Sequence, residues 1–244
     1  IDLPAPGEAW LATGAGLVHW REGAGVVRTY TTRDGLPSDI TRSLHRRRDG
    51  ALLIATLGGV AVLRNGAIAP IEHPELADAQ VISIAEDRGG RVSFGSLKKG
   101  LLMLAPDGRL HMLTSDDGLS DETIWQVAPD ARGGLWIGTN GDGLFHRDAS
   151  GRLRRYTTRE GLVDNFIWQV LVDRTGHVWA YTNRGLSRFD GTDFSSYGLD
   201  DGLLHLEGAA TAALETRRGE RWFASNEGLM RYTGTEPVTA AVQP

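Results

Sequence analysis

One short pattern recurs along this chain, and its spacing leaves few folds open. It reads "AWLATGAGLVHW", "LLIATLGGVAVL", "VSFGSLKKGLLML", "LWIGTNGDGLFHR", "VWAYTNRGLSRF" and "RWFASNEGLMRY". Aligned on Trp10, Leu53, Ser93, Trp136, Trp179 and Trp222, the copies are 43, 40, 43, 43 and 43 residues apart. A period of about 40–45 residues with strand-like content predicts a β-propeller with one four-stranded sheet per repeat. Helical repeats of that length need long segments of 3.6 periodicity, and none is visible. The expected fold is all-β, with six blade repeats.

The copy that begins at Gly161 shows how one period divides. "NFIWQVLVD" (Asn165 to Asp173) is rich in β-branched and aromatic residues and closes on the turn "RTG". "HVWAYT", "GLSRF" and "DFSSY" follow as three more strands, separated by "NRG" and by the "DG" at Asp190 and Gly191. Val178 and Ala180 alternate with Trp179 and Tyr181, so both faces of the second strand carry apolar bulk, as a blade packed between two others requires. The repeated Trp is therefore first a packing residue. The glycine before the third strand (Gly16, Gly59, Gly100, Gly143, Gly185, Gly228) predicts a turn with positive φ.

Six full periods exceed the 244 residues by about one strand and its turn, and the first copy lacks the preceding "GLxxxxIxxI" segment. The first blade is accordingly expected to be incomplete at its N-terminus. We read residues 1–234 as the propeller and 235–244 as a closing strand or a connection to a following domain. The short apolar run from Val238 to Val242 fits either role.

Composition narrows the function classes. A formal charge of −5 disfavours nucleic acid, whose phosphates need a basic face. With no cysteine there is no disulfide, thiolate metal site or cysteine nucleophile. No apolar run approaches the length of a membrane span, and "IDLPAPGEAW" has neither the basic nor the apolar region of a signal peptide.

The segments "GLPSDITRSLHRRRDGALLIATLGGVAVL", "GLSDETIWQVAPDARGGLWIGTNGDGLFHR" and "GLVDNFIWQVLVDRTGHVWAYTNRGLSRF" resemble two-component-regulator propeller repeats. "DGLLHLEGAATAALETRRGERWFASNEGLMRY" is similar to the divergent final repeat of those propellers. The resemblance runs from about Glu8 to about Pro237 and is weaker at the copies anchored on Leu53 and Ser93. It implies an extracytoplasmic or periplasmic sensor module of a bacterial receptor, with a carbohydrate as ligand and with further blades or an immunoglobulin-like domain beyond this chain.

Local catalytic signatures are absent. His19, His45, His73, His111, His146, His177 and His205 show no HxH or HExxH spacing, and there is no nucleophile elbow or phosphate loop. No metal or other cofactor is indicated. "NGDG" from Asn140 reads as a structural turn, with an ion site as the weaker alternative.

Two departures from the structural pattern are candidates for binding. At one position of the first strand, successive copies hold Arg42, Ile82, Trp125 and Trp168; the two tryptophans either pack between blades or stack on a sugar or other flat ligand. The loop after the second strand varies, placing Lys98, Asn140, Asp142, Arg184 and Asn226 on one rim with Asp121, Asp164 and Glu207. Three functions follow: a non-catalytic ligand sensor, a lyase or hydrolase acting on a polysaccharide or cyclic peptide, and a protein-interaction scaffold. The enzyme requires at least two of His146, His177 and His205 to converge with a carboxylate. Expected partners are a small-molecule or oligosaccharide ligand and, as a protein partner, a second copy or a neighbouring propeller.

Overall fold

The computed structural model describes residues 1–119 and 122–232, with the side chains at 210 and 211 excepted. The fold is all-β, a six-bladed β-propeller of antiparallel sheets. The chain divides into two compact units, Ile1–Pro129 and Asp130–Pro244.

The first unit holds three complete sheets. Sheet 1 comprises β1 (Asp2–Ala5), β2 (Glu8–Thr13), β3 (Gly16–Arg21) and β4 (Gly25–Tyr30). Sheet 2 comprises β5 (Thr41–Arg46), β6 (Leu52–Thr56), β7 (Gly59–Arg64) and β8 (Ala67–Pro70). Sheet 3 comprises β9 (Val81–Glu86), β10 (Val92–Ser96), β11 (Leu101–Leu104) and β12 (Leu110–Leu113). The unit ends with β13 (Ile124–Pro129), the first strand of sheet 4.

The second unit continues sheet 4 with β14 (Leu135–Thr139), β15 (Leu144–Arg147) and β16 (Leu153–Tyr156). Sheet 5 comprises β17 (Ile167–Val172), β18 (Val178–Thr182), β19 (Leu186–Phe189) and β20 (Phe194–Tyr197). Sheet 6 has three strands among the described residues, β21 (Gly208–Glu215), β22 (Arg221–Ser225) and β23 (Gly228–Tyr232). The strands expected in the Gly161 copy appear within two residues of their predicted bounds. The expected closing segment at 235–244 lies outside the described residues.

One expectation is corrected. Sheet 1 has its full four strands, because Asp2–Ala5 pair with β2 at Asp2↔Trp10 and Ala5↔Glu8. The strand is short and its register irregular, and Pro4 within it has no N–H to give to a ladder. Four residues suffice for a strand without the longer segment that precedes the other copies.

Second strands form the core of sheets 2 to 5. Every residue of β6, β10, β14 and β18 is buried. Trp136 and Trp179 are among them, whereas Trp10 and Trp222 in the end sheets are half-buried. In the first unit Val60, Leu76, Val81, Phe94 and Leu102 pack across sheets 2 and 3. In the second, Trp179, Tyr181, Leu186, Tyr197 and Phe223 pack across sheets 5 and 6. Each large aromatic side chain removes about 150–250 Å² from water.

The turn from second to third strand is locked in the same way six times. The hydroxyls of Thr13, Thr56, Ser96, Thr139, Thr182 and Ser225 donate to the carbonyls of Gly16, Gly59, Gly100, Gly143, Gly185 and Gly228 at 2.7–3.4 Å. Each hydroxyl also accepts a backbone N–H from within the turn, at 2.8–3.2 Å. The glycine is required on two counts at Gly185: φ is +124°, and a Cβ there would lie 2.5 Å from the Tyr197 carbonyl oxygen. Substituting buried Thr182 by Val keeps the shape and removes the hydroxyl. We expect a loss of about 1–3 kcal/mol in denaturant unfolding and recovery with Ser.

Candidate functional site

The loops that carry the rim candidates are built from a second recurring device. "TTRDGL", "TSDDGL", "TTREGL" and "GLDDGL" each turn back an acidic side chain to accept the N–H of the residue three before it: Asp34 from Thr31, Asp117 from Thr114, Glu160 from Thr157 and Asp201 from Gly198, at 2.7–3.0 Å. The leucine that follows is buried at Leu36, Leu119 and Leu162. These loops lead into the first strand of the next sheet, where the turn glycine of the preceding sheet meets them. Gly100 N–H donates to Glu122 O at 3.0 Å, Gly143 to Asn165 O at 2.8 Å and Gly185 to Leu206 O at 2.9 Å. Both loop sets therefore share one end of the sheets, as the alternation of strand directions predicts.

A bulge recurs just inside that end. The ladder slips between Thr41 and Ser43 in β5, at Val81–Ser83 in β9, and between Ile167 and Gln169 in β17. The skipped residues are Arg42, Ile82 and Trp168, the position singled out in the sequence. A bulged residue is released from ladder pairing and its side chain re-aimed. Arg42 is exposed, Ile82 buried, and Trp125 and Trp168 half-buried.

Trp168 is the best-positioned of them. Its Nε1–H donates to Asn183 Oδ1 at 2.7 Å, and its ring lies 4.5 Å from that of Phe166 at an interplanar angle of 45°. Asn140 forms an isolated backbone bridge with Phe166, and Asp164 Oδ1 accepts the Phe166 N–H at 2.8 Å. The structure thus gathers Asn140, Phe166, Trp168 and Asn183 into one polar–aromatic patch, with exposed Arg184 adjacent in sequence to Asn183. Phe166 and Asn183 were missed in the sequence because only the 167/169 slip and the Nε1 bond connect them to Trp168.

Arg42, Lys98 and Trp125 belong to the first unit. Lys98 is exposed, whereas its neighbour Lys99 makes the structural bonds, donating Nζ to Glu75 O at 3.1 Å and Ala77 O at 2.9 Å. Asn226 is exposed on the β22–β23 turn. Asp142 is bound to Arg155 through its carboxylate at 2.5 Å and through its carbonyl at 2.7 Å, so a guanidinium occupies the acidic position of the "NGDG" turn. Asp121 lies outside the described residues.

The three histidines of the enzyme reading lie beside three different carboxylates. His146 Nε2 donates to Asp130 Oδ2 at 2.8 Å and stacks on Trp136 at 4.3 Å. His177 Nδ1 stands 3.7 Å from Asp173, and His205 Nε2 is 3.9 Å from Glu227. Among the described residues no hydrogen bond or ion pair joins two of these three, and no group of three or more His, Asp or Glu converges as a metal site. The convergence that the enzyme reading requires is not among these pairings.

Asp173 is the most buried of these acids. Burial pushes its carboxyl upward, but hydrogen bonds from Thr175 and Trp179 and the charge of Arg221 at 3.0 Å outweigh it and hold the group below the ordinary carboxylate range. A depressed folded value means stability that is present above the unfolded value of about 3.9 and lost as pH falls through the folded one. We expect the melting temperature to fall as pH drops below about 4, and Asp173→Asn to flatten that acid limb while lowering stability at pH 7. Thermal unfolding across a pH series checks both.

Residues 118–141, spanning the entry to sheet 4 and its first two strands, match the family model for the two component regulator propeller. Among curated proteins none matches the chain. The extracellular domain of a hybrid two-component system from B. thetaiotaomicron aligns at TM-score 0.62 and 20% identity, over 95% of this chain and 38% of that one. A Porphyromonas gingivalis surface component of the type-IX secretion system, PorZ, aligns at TM-score 0.74 and 16% identity, over 94% and 37%. Virginiamycin B lyase from Staphylococcus aureus aligns at 0.68 and 12%, over 98% and 84%. The chain spans under two fifths of the first two of these structures, and at such identities the likeness establishes the fold. Within that fold, the segment from Gly118 to Gly141 is similar to a two-component-regulator propeller repeat.

Proposed function

We propose that this propeller is a non-catalytic ligand-sensing module of a bacterial signal-transduction receptor, working outside the cytoplasm and recognising a carbohydrate. The observation that carries the ligand class is the Phe166–Trp168 pair. An aromatic face lifted out of the ladder by a bulge, and fixed by Asn183, suits the apolar face of a sugar ring. Amide and guanidinium groups at Asn140, Asn183 and Arg184 suit its hydroxyls. The family match at 118–141 and the likeness to an extracellular two-component domain support the sensor role.

The histidine pairings favour this reading over the lyase reading that the virginiamycin B lyase likeness raises, because His146, His177 and His205 each lie beside a different carboxylate. Signalling requires that the ligand bind two arrangements of the receptor with different affinity. The rim supplies the ligand contact, and the arrangement belongs to the larger receptor.

A thermal-shift screen against an oligosaccharide panel tests the proposal, since a ligand bound only by the folded state raises the melting temperature. We expect at least one saccharide to do so, Trp168→Ala to abolish the shift in a protein that still unfolds cooperatively, and Trp168→Phe to retain part of it. A shift indifferent to Trp168, or none across the panel, would overturn the assignment.

A further inference from the structure

The repeat breaks at one inter-sheet loop. Where the others read "TTRDGL", "TSDDGL", "TTREGL" and "GLDDGL", residues 71–80 read "IEHPELADAQ", and this loop lies within the single 40-residue spacing. The segment folds on bonds of its own: Ile71 N–H to Val60 O at 2.8 Å, Leu76 N–H to His73 O at 3.0 Å and Ala79 N–H to Leu76 O at 3.2 Å. Leu76, 1% exposed, fills the place of the buried leucine of the other loops. Lys99, from the lysine pair that makes the β10–β11 turn distinctive, caps the Glu75 and Ala77 carbonyls. Two sequence departures thus meet in one structure.

The loop borders an open pocket of about 450 Å³, within the range of about 300–1,000 Å³ typical of small-molecule sites. Pro37, Pro70 and Pro74 supply rigid apolar wall. The ionisable lining groups are Glu72, His73 and Asp78, with no lysine or arginine. Neither carboxylate is in an ion pair among the described residues, and both side chains belong to exposed residues. His73 Nδ1 accepts the Glu75 N–H at 3.2 Å, which leaves Nε2 carrying the proton of the neutral ring. Asp78 holds a left-handed conformation at φ +56°, its N–H donating to Gly58 O at 3.3 Å, and so is fixed against the pocket's glycine edge.

We propose that this pocket binds a small organic cation: a protonated amine on a compact apolar body, its ammonium paired with Glu72 and Asp78 and its body against the proline walls. Charge complementarity selects the cation, because every charged lining side chain is acidic. The prolines and the loop's own hydrogen bonds make the site preformed, which limits the ordering cost of binding. The site shares no residue with the Trp168 patch and does not depend on the carbohydrate reading.

The test is a titration of the ¹⁵N-labelled chain with 2-phenylethylamine, and with phenylacetate as the anion of similar size. The expected result is saturable shifts of the Gly58, Gly59 and Asp78 amides with the amine, and at least tenfold weaker binding of phenylacetate. Glu72→Gln with Asp78→Asn should weaken the amine at least tenfold. Asn tolerates the left-handed backbone at 78, so the charge is removed without a new strain. Ala77→Trp, which adds bulk at the lining, should block the amine while the melting temperature holds. Equal binding of phenylacetate, unchanged affinity in the double variant, or no saturable shift at these amides would overturn the proposal.

Discussion

Everything at the loop end of this propeller depends on one hydroxyl clip. A Ser or Thr closes each second strand, donates to the carbonyl of the turn glycine and accepts an N–H from within the turn. The glycine, so placed, hands its own N–H to the entry of the next sheet at Gly100, Gly143 and Gly185. The clip thereby sets both the hairpin and the seat of the following first strand. Thr56, Thr139 and Thr182 are fully buried, so an unpaired hydroxyl there would carry the full cost of a lost bond in a dry site.

A second repeated arrangement holds the sheet faces. Trp10 lies opposite His19, Trp136 opposite His146, Trp179 opposite Arg188 and Trp222 opposite Arg231 on the neighbouring strand. The imidazoles stack at 4.2 and 4.3 Å, and the guanidiniums sit 5.7 and 5.9 Å from the indoles. Acids then fix the tryptophans' partners or neighbours: Glu8 holds His19, Asp130 holds His146, and Glu220 holds Arg231. Asp173 instead takes the Trp179 Nε1–H directly, along with Arg221. Of the three histidines weighed as catalytic, His146 is in this light the cover of a packing tryptophan, Trp136.

The fold was legible because period, glycine turns and strand content all express the same constraint. The burial of β18 and the positive φ of all six turn glycines follow from residues visible in one copy. The first strand of sheet 1 was not legible, since Asp2–Ala5 carries no pattern beyond its pairing to β2. In the site, Trp168 was visible as a departure from a repeated position. Phe166 and Asn183 were not, because their part is set by a bulge and a side-chain bond that spacing does not encode. The hydroxyl clip and the loop at 71–80 were both present in the sequence. The first hid as small polar residues in apparently ordinary turns, and the second registered only as a three-residue shortfall.

A repeat protein of this kind separates its tasks by position. Residues common to the copies hold the sheets, and both sites we propose for recognition are places where copies differ, the aromatic pair beside sheet 5 and the loop before sheet 3. The central claim is that the rim around Trp168 is a carbohydrate site. Hydrogen–deuterium exchange with and without each of a set of oligosaccharides tests it most directly. The account predicts slowed exchange confined to residues 164–168 and 183–185 for at least one saccharide, with the buried second strands unchanged. Exchange that no saccharide slows in those segments, or slowing confined to segments away from them, would contradict it.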